Sequence, residues 1–469
     1  MHGIDHVIRR LSTGDASRRR SAFSLVELLV ASTIALMVMG AVAQLFSLFS
    51  RTLSQSQATV DISGRMRSAA WQLRQDLAGV TVDTVPWTEP ESDSGYFELL
   101  EGPQRDSDIS RVFTDGVPNF NLEADTDDTL LFTTRSAGVP FVGRYGAYTV
   151  ESQCAEVAWF CRAAGTQPTT DTKLYNLYRR QLLVVGYVGK PPFSNANNAM
   201  AGAFTSLPSS DYDLSLRLEL GANNALSIVP NTLGDLTKRE NRFMRNGVFN
   251  YQDDTGATIT VTSTAFPFSF PLDSNKRPPT NATFDSTDRV WEDVILTNVI
   301  SFDVRVFDPA AKAQLTTTPS LLPGDPGYNA QTAASGAGAA GAYVDLGWGG
   351  GSPTLISGTF PPAGQTAFQS AGRYVRNSAS NNTLPIAAYD TWSLHYEFNG
   401  EDEDGDGVVD DGTNGADDNG DDLPDNPPEY ETSPPYPVPL KGIEVRIRCY
   451  EPTSKQVRQI TLRHAFTKD

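Results

Sequence analysis

Cysteine is nearly absent: Cys154, Cys161 and Cys449 are the only three, and no Cys-x-x-Cys pair occurs. Three is too few for a disulfide scaffold, and a dithiol redox role has no motif behind it. If residues 154–161 form one strand, the first two thiols stand roughly 23 Å apart, so pairing them needs a bend or hairpin. Histidine is as scarce, at four. His2 and His6 lie in the first 22 residues, His395 alternates outward beside Glu397, and His464 shares a face with Ile460, Leu462 and Phe466. No GxSxG, HExxH or P-loop run is present, so the chain is expected not to be an enzyme. Cations are outnumbered, 37 Lys and Arg against 56 Asp and Glu, for a formal charge of −19. Residues 401–431 hold 14 of the acids and no Lys or Arg, a placement that argues against nucleic acid, whose phosphates need clustered cations. Helix formers thin out beyond residue 80, where Thr, Val, Tyr, Phe, Gly and Pro abound, which predicts a β-rich body with long loops.

One long apolar run stands against these deficits. From Phe23 to Phe49 the only ionisable side chain is Glu27, and there is no proline. As a helix this run is roughly 40 Å long, enough to cross a hydrocarbon core of about 30 Å. A carboxylate five residues into a membrane helix is costly and marks a functional position. The preceding 22 residues carry Arg9, Arg10, Arg18, Arg19 and Arg20, which favour retention on the cytoplasmic side and place residues 50–469 outside. A secretory signal runs from apolar core to cleavage site. Here the order is basic leader, small Ala22, then apolar helix, so cleavage after Ala22 would leave the helix on the mature chain. Beyond the span, Ile62, Met66, Ala69, Ala70, Leu73, Leu77 and Val80 recur at helical spacing as one stripe, with Arg65, Arg67, Arg74 and Asp76 off it.

The stretch Ala22-Phe23-Ser24-Leu25-Val26-Glu27-Leu28-Leu29-Val30 resembles the cleavage and methylation motif of type IV prepilins and type II secretion pseudopilins. Ala22 replaces the family's usual Gly. The resemblance implies cleavage between Ala22 and Phe23 by a prepilin peptidase, N-methylation of Phe23, and pairing of Glu27 with the new amine of an adjacent subunit. It also implies an α+β fold: a long N-terminal helix, transmembrane over 23–50 and amphipathic over 51–83, packed on an antiparallel β-rich head at 84–469. Within the wider family, the layout is similar to J-type minor pseudopilins and W-type minor pilins. Leu73-Arg74-Gln75-Asp76-Leu77, Leu177-Tyr178-Arg179-Arg180 and Gly442-Ile443-Glu444-Val445 carry that finer likeness.

Strands are expected at 128–134, 155–160, 174–186, 213–219, 257–263, 297–307, 391–398, 442–450 and 456–466, the last two as a hairpin. Ile443, Val445, Ile447 and Cys449 alternate with Glu444, Arg446 and Arg448, which makes Cys449 a small core residue. Residues 187–256 and 309–385 read as insertions, the second rich in Gly and Ala with little core of its own.

The acidic segment 401–431 has a spacing of its own. Asp402, Asp404, Asp406 and Asp410 stand at positions 1, 3, 5 and 9 of a calcium loop, with Gly407 at the turn and the Val408 carbonyl available. The pattern returns fifteen residues later as Asp417, Asn419, Asp421 and Asp425. Thr413 replaces the closing glutamate of an EF-hand and Asp422 the turn glycine, so these resemble helix-free aspartate loops; the bland alternative is a solvated acidic loop. Calcium is the one cofactor expected.

The resemblance implies a structural minor pseudopilin at the tip of a type II secretion-like periplasmic pseudopilus that promotes protein secretion, anchored in a bacterial inner membrane. Its implied partners are other minor and major pseudopilins or pilins, the prepilin peptidase, the inner-membrane assembly platform and secreted substrate. The alternative is a minor pilin or tip adhesin of a type IV pilus.

Overall fold

The computed structural model describes residues 24–85, 88, 90–101, 113–114, 117–118, 125–145, 148–164, 174–186, 213–221, 225–238, 241–242, 248–252, 258–262, 292–315, 321–323, 328–329, 340–349, 366–369, 387–391, 436 and 438–466. It combines one long N-terminal helix with a curled antiparallel sheet and long loops, an α+β fold that is mostly β. The chain divides into two compact units, residues 1–58 and 59–469. The helix, α1 (Leu25–Ala78), supplies most of the first unit and opens the second.

No proline interrupts α1, and its second half buries the predicted stripe: Ile62, Met66, Ala69, Ala70, Leu73 and Leu77. Val80, just past the helix, is half-buried and bridges to Thr134. Asp76 corrects the sequence reading, because it lies on the buried face rather than off it, at 4% exposure. The helix ends against the sheet. Thr134 Oγ1 donates to the Asp76 carbonyl (2.7 Å), and the Arg135 amide donates to the Gly79 carbonyl (2.7 Å). Any Cβ at position 79 would collide with the Arg135 carbonyl oxygen, so the approach requires glycine there.

The main sheet has nine strands: β1 (Phe97–Glu101), β2 (Thr129–Arg135), β3 (Cys154–Ala163), β4 (Tyr175–Leu183), β5 (Glu292–Lys312), β6 (Ala340–Val344), β7 (Ala387–Asp390), β8 (Gly442–Glu451) and β9 (Gln456–Ala465). Their order is β7-β1-β2-β3-β4-β5-β8-β9, with β6 also on β5, and every pairing is antiparallel. Strands β1 to β4 form a meander, the simplest solution for consecutive antiparallel strands. The 21-residue β5 is broken by register shifts, and Asn298 there has φ 58°, a left-handed conformation that Asn tolerates at a bulge. Val306 pairs with both Val344 and Ile443, so β6 and β8 flank β5 on opposite edges.

The strands expected at 128–134, 155–160, 174–186, 297–307, 442–450 and 456–466 correspond to β2, β3, β4, β5, β8 and β9. Those expected near 213–219 and 257–263 belong instead to two-stranded hairpins, Leu216–Gly221 with Ala225–Pro230 and Val248–Gln252 with Thr258–Thr262. For 391–398, β7 ends at Asp390, and residues 392–398 lie outside the described residues.

One core joins the helix stripe to the sheet, with Trp159, Phe97, Phe132, Phe160 and Phe302 at its centre. Val344, Leu346, Trp348 and Phe368, all from the 309–385 stretch, join it too. On β8 the predicted apolar face is fully buried, but so is Glu444 on the other face, which accepts from Arg446 Nε (2.7 Å) and Arg463 Nε (2.6 Å). Charge pairing lets both faces of that strand be covered. A similar device ties residues 231–238 and 241–242 to the sheet. Glu98 and Asp390 face each other across β1 and β7, and Arg242 Nη1 donates to both, at 3.0 and 2.8 Å. The same guanidinium donates to the carbonyls of Leu236 and Thr237 and stacks 4.1 Å from the Tyr96 ring.

Candidate assembly site and its anchor in the head

Ser24 and Glu27 begin the helix as a reciprocal cap. The Glu27 amide donates to Ser24 Oγ (3.2 Å), and the Ser24 amide donates to Glu27 Oε2 (3.0 Å). Ser at the N-cap with Glu three residues on satisfies two of the amides that a helix start leaves open, and puts a negative charge at the positive end of the helix dipole. The sequence reading gave Glu27 an intermolecular role; the structure adds this local one, legible in the Ser-x-x-Glu spacing. Ala22 and Phe23 lie outside the described residues.

From Leu25 to Phe49 the apolar side chains point outward on every face, including Leu28, Ile34, Met37, Val42, Phe46 and Phe49. A helix apolar all round needs lipid or other helices as its solvent. With an apolar window long enough to cross a membrane, it fits a single-pass, membrane-anchored protein.

The head grips the same helix through a carboxylate. Arg179 Nε donates to Asp76 Oδ2 (2.7 Å), Arg179 Nη2 to Oδ1 (2.8 Å), and Trp159 Nε1 to Oδ2 (2.9 Å). Trp159 on β3 and Arg179 on β4 are direct cross-strand partners, so the sheet presents both donors to one side chain. Asp76 and Arg179 are each 4% exposed, which makes this a dry, bidentate, charge-assisted pair. Two of the segments carrying the finer family likeness, 73–77 and 177–180, meet here.

The remaining sequence candidates divide by position. Asp402, Asp404, Asp406, Val408, Asp410, Asp417, Asn419, Asp421 and Asp425 all lie outside the described residues, as does His395. His464 is half-buried with its ring 4.9 Å from that of Phe466, and burial lowers its pKa. All three cysteines are free. Cys161 and Cys449 are buried in the core, where burial pushes both thiols up. Cys154 lines a cleft of about 560 Å³ with Arg135, Glu151 and Leu233. Burial raises its thiol as well, the wrong direction for a reactive thiolate.

A buried acidic cluster escaped the sequence reading. Glu101 closes β1, and Asp125 and Asp128 lie in the segment that leads into β2. Burial, then the mutual repulsion of these carboxylates with Asp127, Asp303 and Asp345, raises the pKa of all three well above the usual carboxylate range. Their separation along the chain left no spacing to read.

No curated protein and no solved structure matches the chain. Residues 17–43 match the family described as the prokaryotic N-terminal methylation motif, so the chain carries the type IV pilin-like signal, which implies prepilin peptidase processing and assembly with other pilins.

Proposed function

We propose that this protein is a structural minor pseudopilin, which assembles through α1 at the tip of a type II secretion-like periplasmic pseudopilus and promotes protein secretion. The observation that carries the reading is the methylation motif at the head of an outward-facing apolar helix whose far end is locked into a large β-rich head. In this reading cleavage between Ala22 and Phe23 removes the basic leader, Phe23 is methylated, and Glu27 pairs with the amine of a neighbouring subunit. The arginines of the leader hold the N-terminus in the cytoplasm, so the head is periplasmic. The chain length added by 187–256 and 309–385, expected from the sequence as insertions, makes a head too large to repeat along a filament, which favours the tip. Calcium at the aspartate loops of 401–431 belongs to the proposal and rests on their spacing alone.

Cross-linking in native membranes followed by purification of the full chain tests it. The expected partners are other minor pseudopilins and the inner-membrane assembly platform, and deletion is expected to stop protein export. Recovery with retractile pilus components, with export intact, would overturn the secretion role in favour of a pilus subunit.

A further inference from the structure

We propose that Glu101, Asp125 and Asp128 form a buried site for a hard divalent cation of the calcium type, separate from the aspartate loops of 401–431. One oxygen from each of the three carboxylates lies within 4.8 Å of the others. Calcium holds oxygens at 2.3–2.6 Å, so two ligands of one ion stand at most about 5 Å apart, and this triad fits around a single ion.

The three side chains are 2%, 0% and 1% exposed. Two of them are held by backbone donors: the Val304 amide donates to Asp128 Oδ2 (2.7 Å) and the Leu346 amide to Glu101 Oε2 (3.3 Å). Both carboxylate oxygens of Asp125 and Oε1 of Glu101 are buried with no hydrogen-bond partner among the described residues. Asp125 is itself fixed in place, because its carbonyl accepts from the Phe302 amide (2.8 Å). An orphaned buried carboxylate is expensive, and natural proteins hydrogen-bond such groups, pair them or coordinate metal with them.

Among the described residues, the buried arginine that pairs with the neighbouring carboxylates is committed elsewhere. Arg305 is buried, and its Nε is 3.0 Å from Asp303 Oδ2 and 3.0 Å from Asp345 Oδ1. Its charge is already shared by two other carboxylates. The donor set is oxygen only, which suits calcium or magnesium and not the softer transition metals. The ligands come from the end of β1 and the approach to β2, and are braced by β5 and the turn after β6. An ion there would tie four parts of the head together, a stabilising role that does not depend on the assembly reading.

The test is calcium binding and thermal unfolding of the full chain in detergent, in calcium chloride or in EDTA. Wild-type protein is expected to melt higher in calcium. Asp125→Asn, nearly isosteric, is expected to weaken binding at this site by about tenfold or more and remove most of that rise, while melting at least as high as wild type in EDTA. Glu101→Gln gives a second variant with the same expected result. A triple Asp402→Asn, Asp404→Asn, Asp406→Asn chain, altered only in the acidic loop, is expected to keep the rise. Unchanged calcium binding and an unchanged rise in Asp125→Asn and Glu101→Gln would overturn the site, as would a wild-type melting temperature indifferent to calcium.

Discussion

Arg179→Met is expected to cost the head roughly 3–5 kcal/mol, the usual penalty for removing one partner of a buried ion pair. The substitution keeps an apolar stem of similar length but leaves the Asp76 carboxylate in a site that is 4% exposed. Of its three side-chain donors only Trp159 Nε1 would remain, and one neutral donor does not compensate a buried charge. Thermal or denaturant unfolding followed by circular dichroism reads the loss. Replacing both partners, Asp76→Leu with Arg179→Met, is expected to recover much of it, since apolar substitutes for a buried pair are often neutral. The unpaired Trp159 Nε1 would hold back about 1–3 kcal/mol of that recovery. A single Arg179→Met chain as stable as wild type would show that α1 is held by its apolar stripe alone.

Glu27 carries the largest expected effect on assembly. Glu27→Ala and Glu27→Gln are both expected to insert in the membrane normally and to fail to join the filament, read by cross-linking to partner subunits. The two changes are not equivalent. Alanine removes only the carboxylate half of the Ser24–Glu27 cap, because the backbone amide of residue 27 still donates to Ser24 Oγ, so the local loss is smaller than the about 0.5–2 kcal/mol of losing an N-cap residue, in a helix that alanine otherwise favours. Glutamine can keep the cap, because the capping box accepts Gln as well as Glu at that position, but it removes the charge. If Glu27 serves through its charge, Gln fails as Ala does. If it serves only its own helix, Gln restores assembly, and the intersubunit pairing is wrong.

Local patterns were the readable ones. The stripe from Ile62 to Leu77 follows from spacing alone, and the hairpin of β8 and β9 from alternation around a turn. Asp76 was misplaced because a charge counts against a buried face when its partner, 103 residues away, is invisible. The sequence Ala340–Val344 looks like loop, being Gly- and Ala-rich, and becomes strand only because β5 offers it an edge. At the N-terminus the motif is legible as a family signal, and the cap is legible in the Ser-x-x-Glu spacing. The Glu101–Asp125–Asp128 cluster has no sequence signature, since the fold alone brings it together. The aspartate loops are the reverse case, plain in spacing and outside the described residues.

Intact-mass spectrometry of the protein purified from membranes of a host with its own prepilin peptidase tests the central claim most directly. The expected mass is that of a chain beginning at Phe23 with one methyl group added and α1 still attached. A chain that keeps residues 1–22, or one that starts beyond Phe49 with the apolar helix removed, would contradict it.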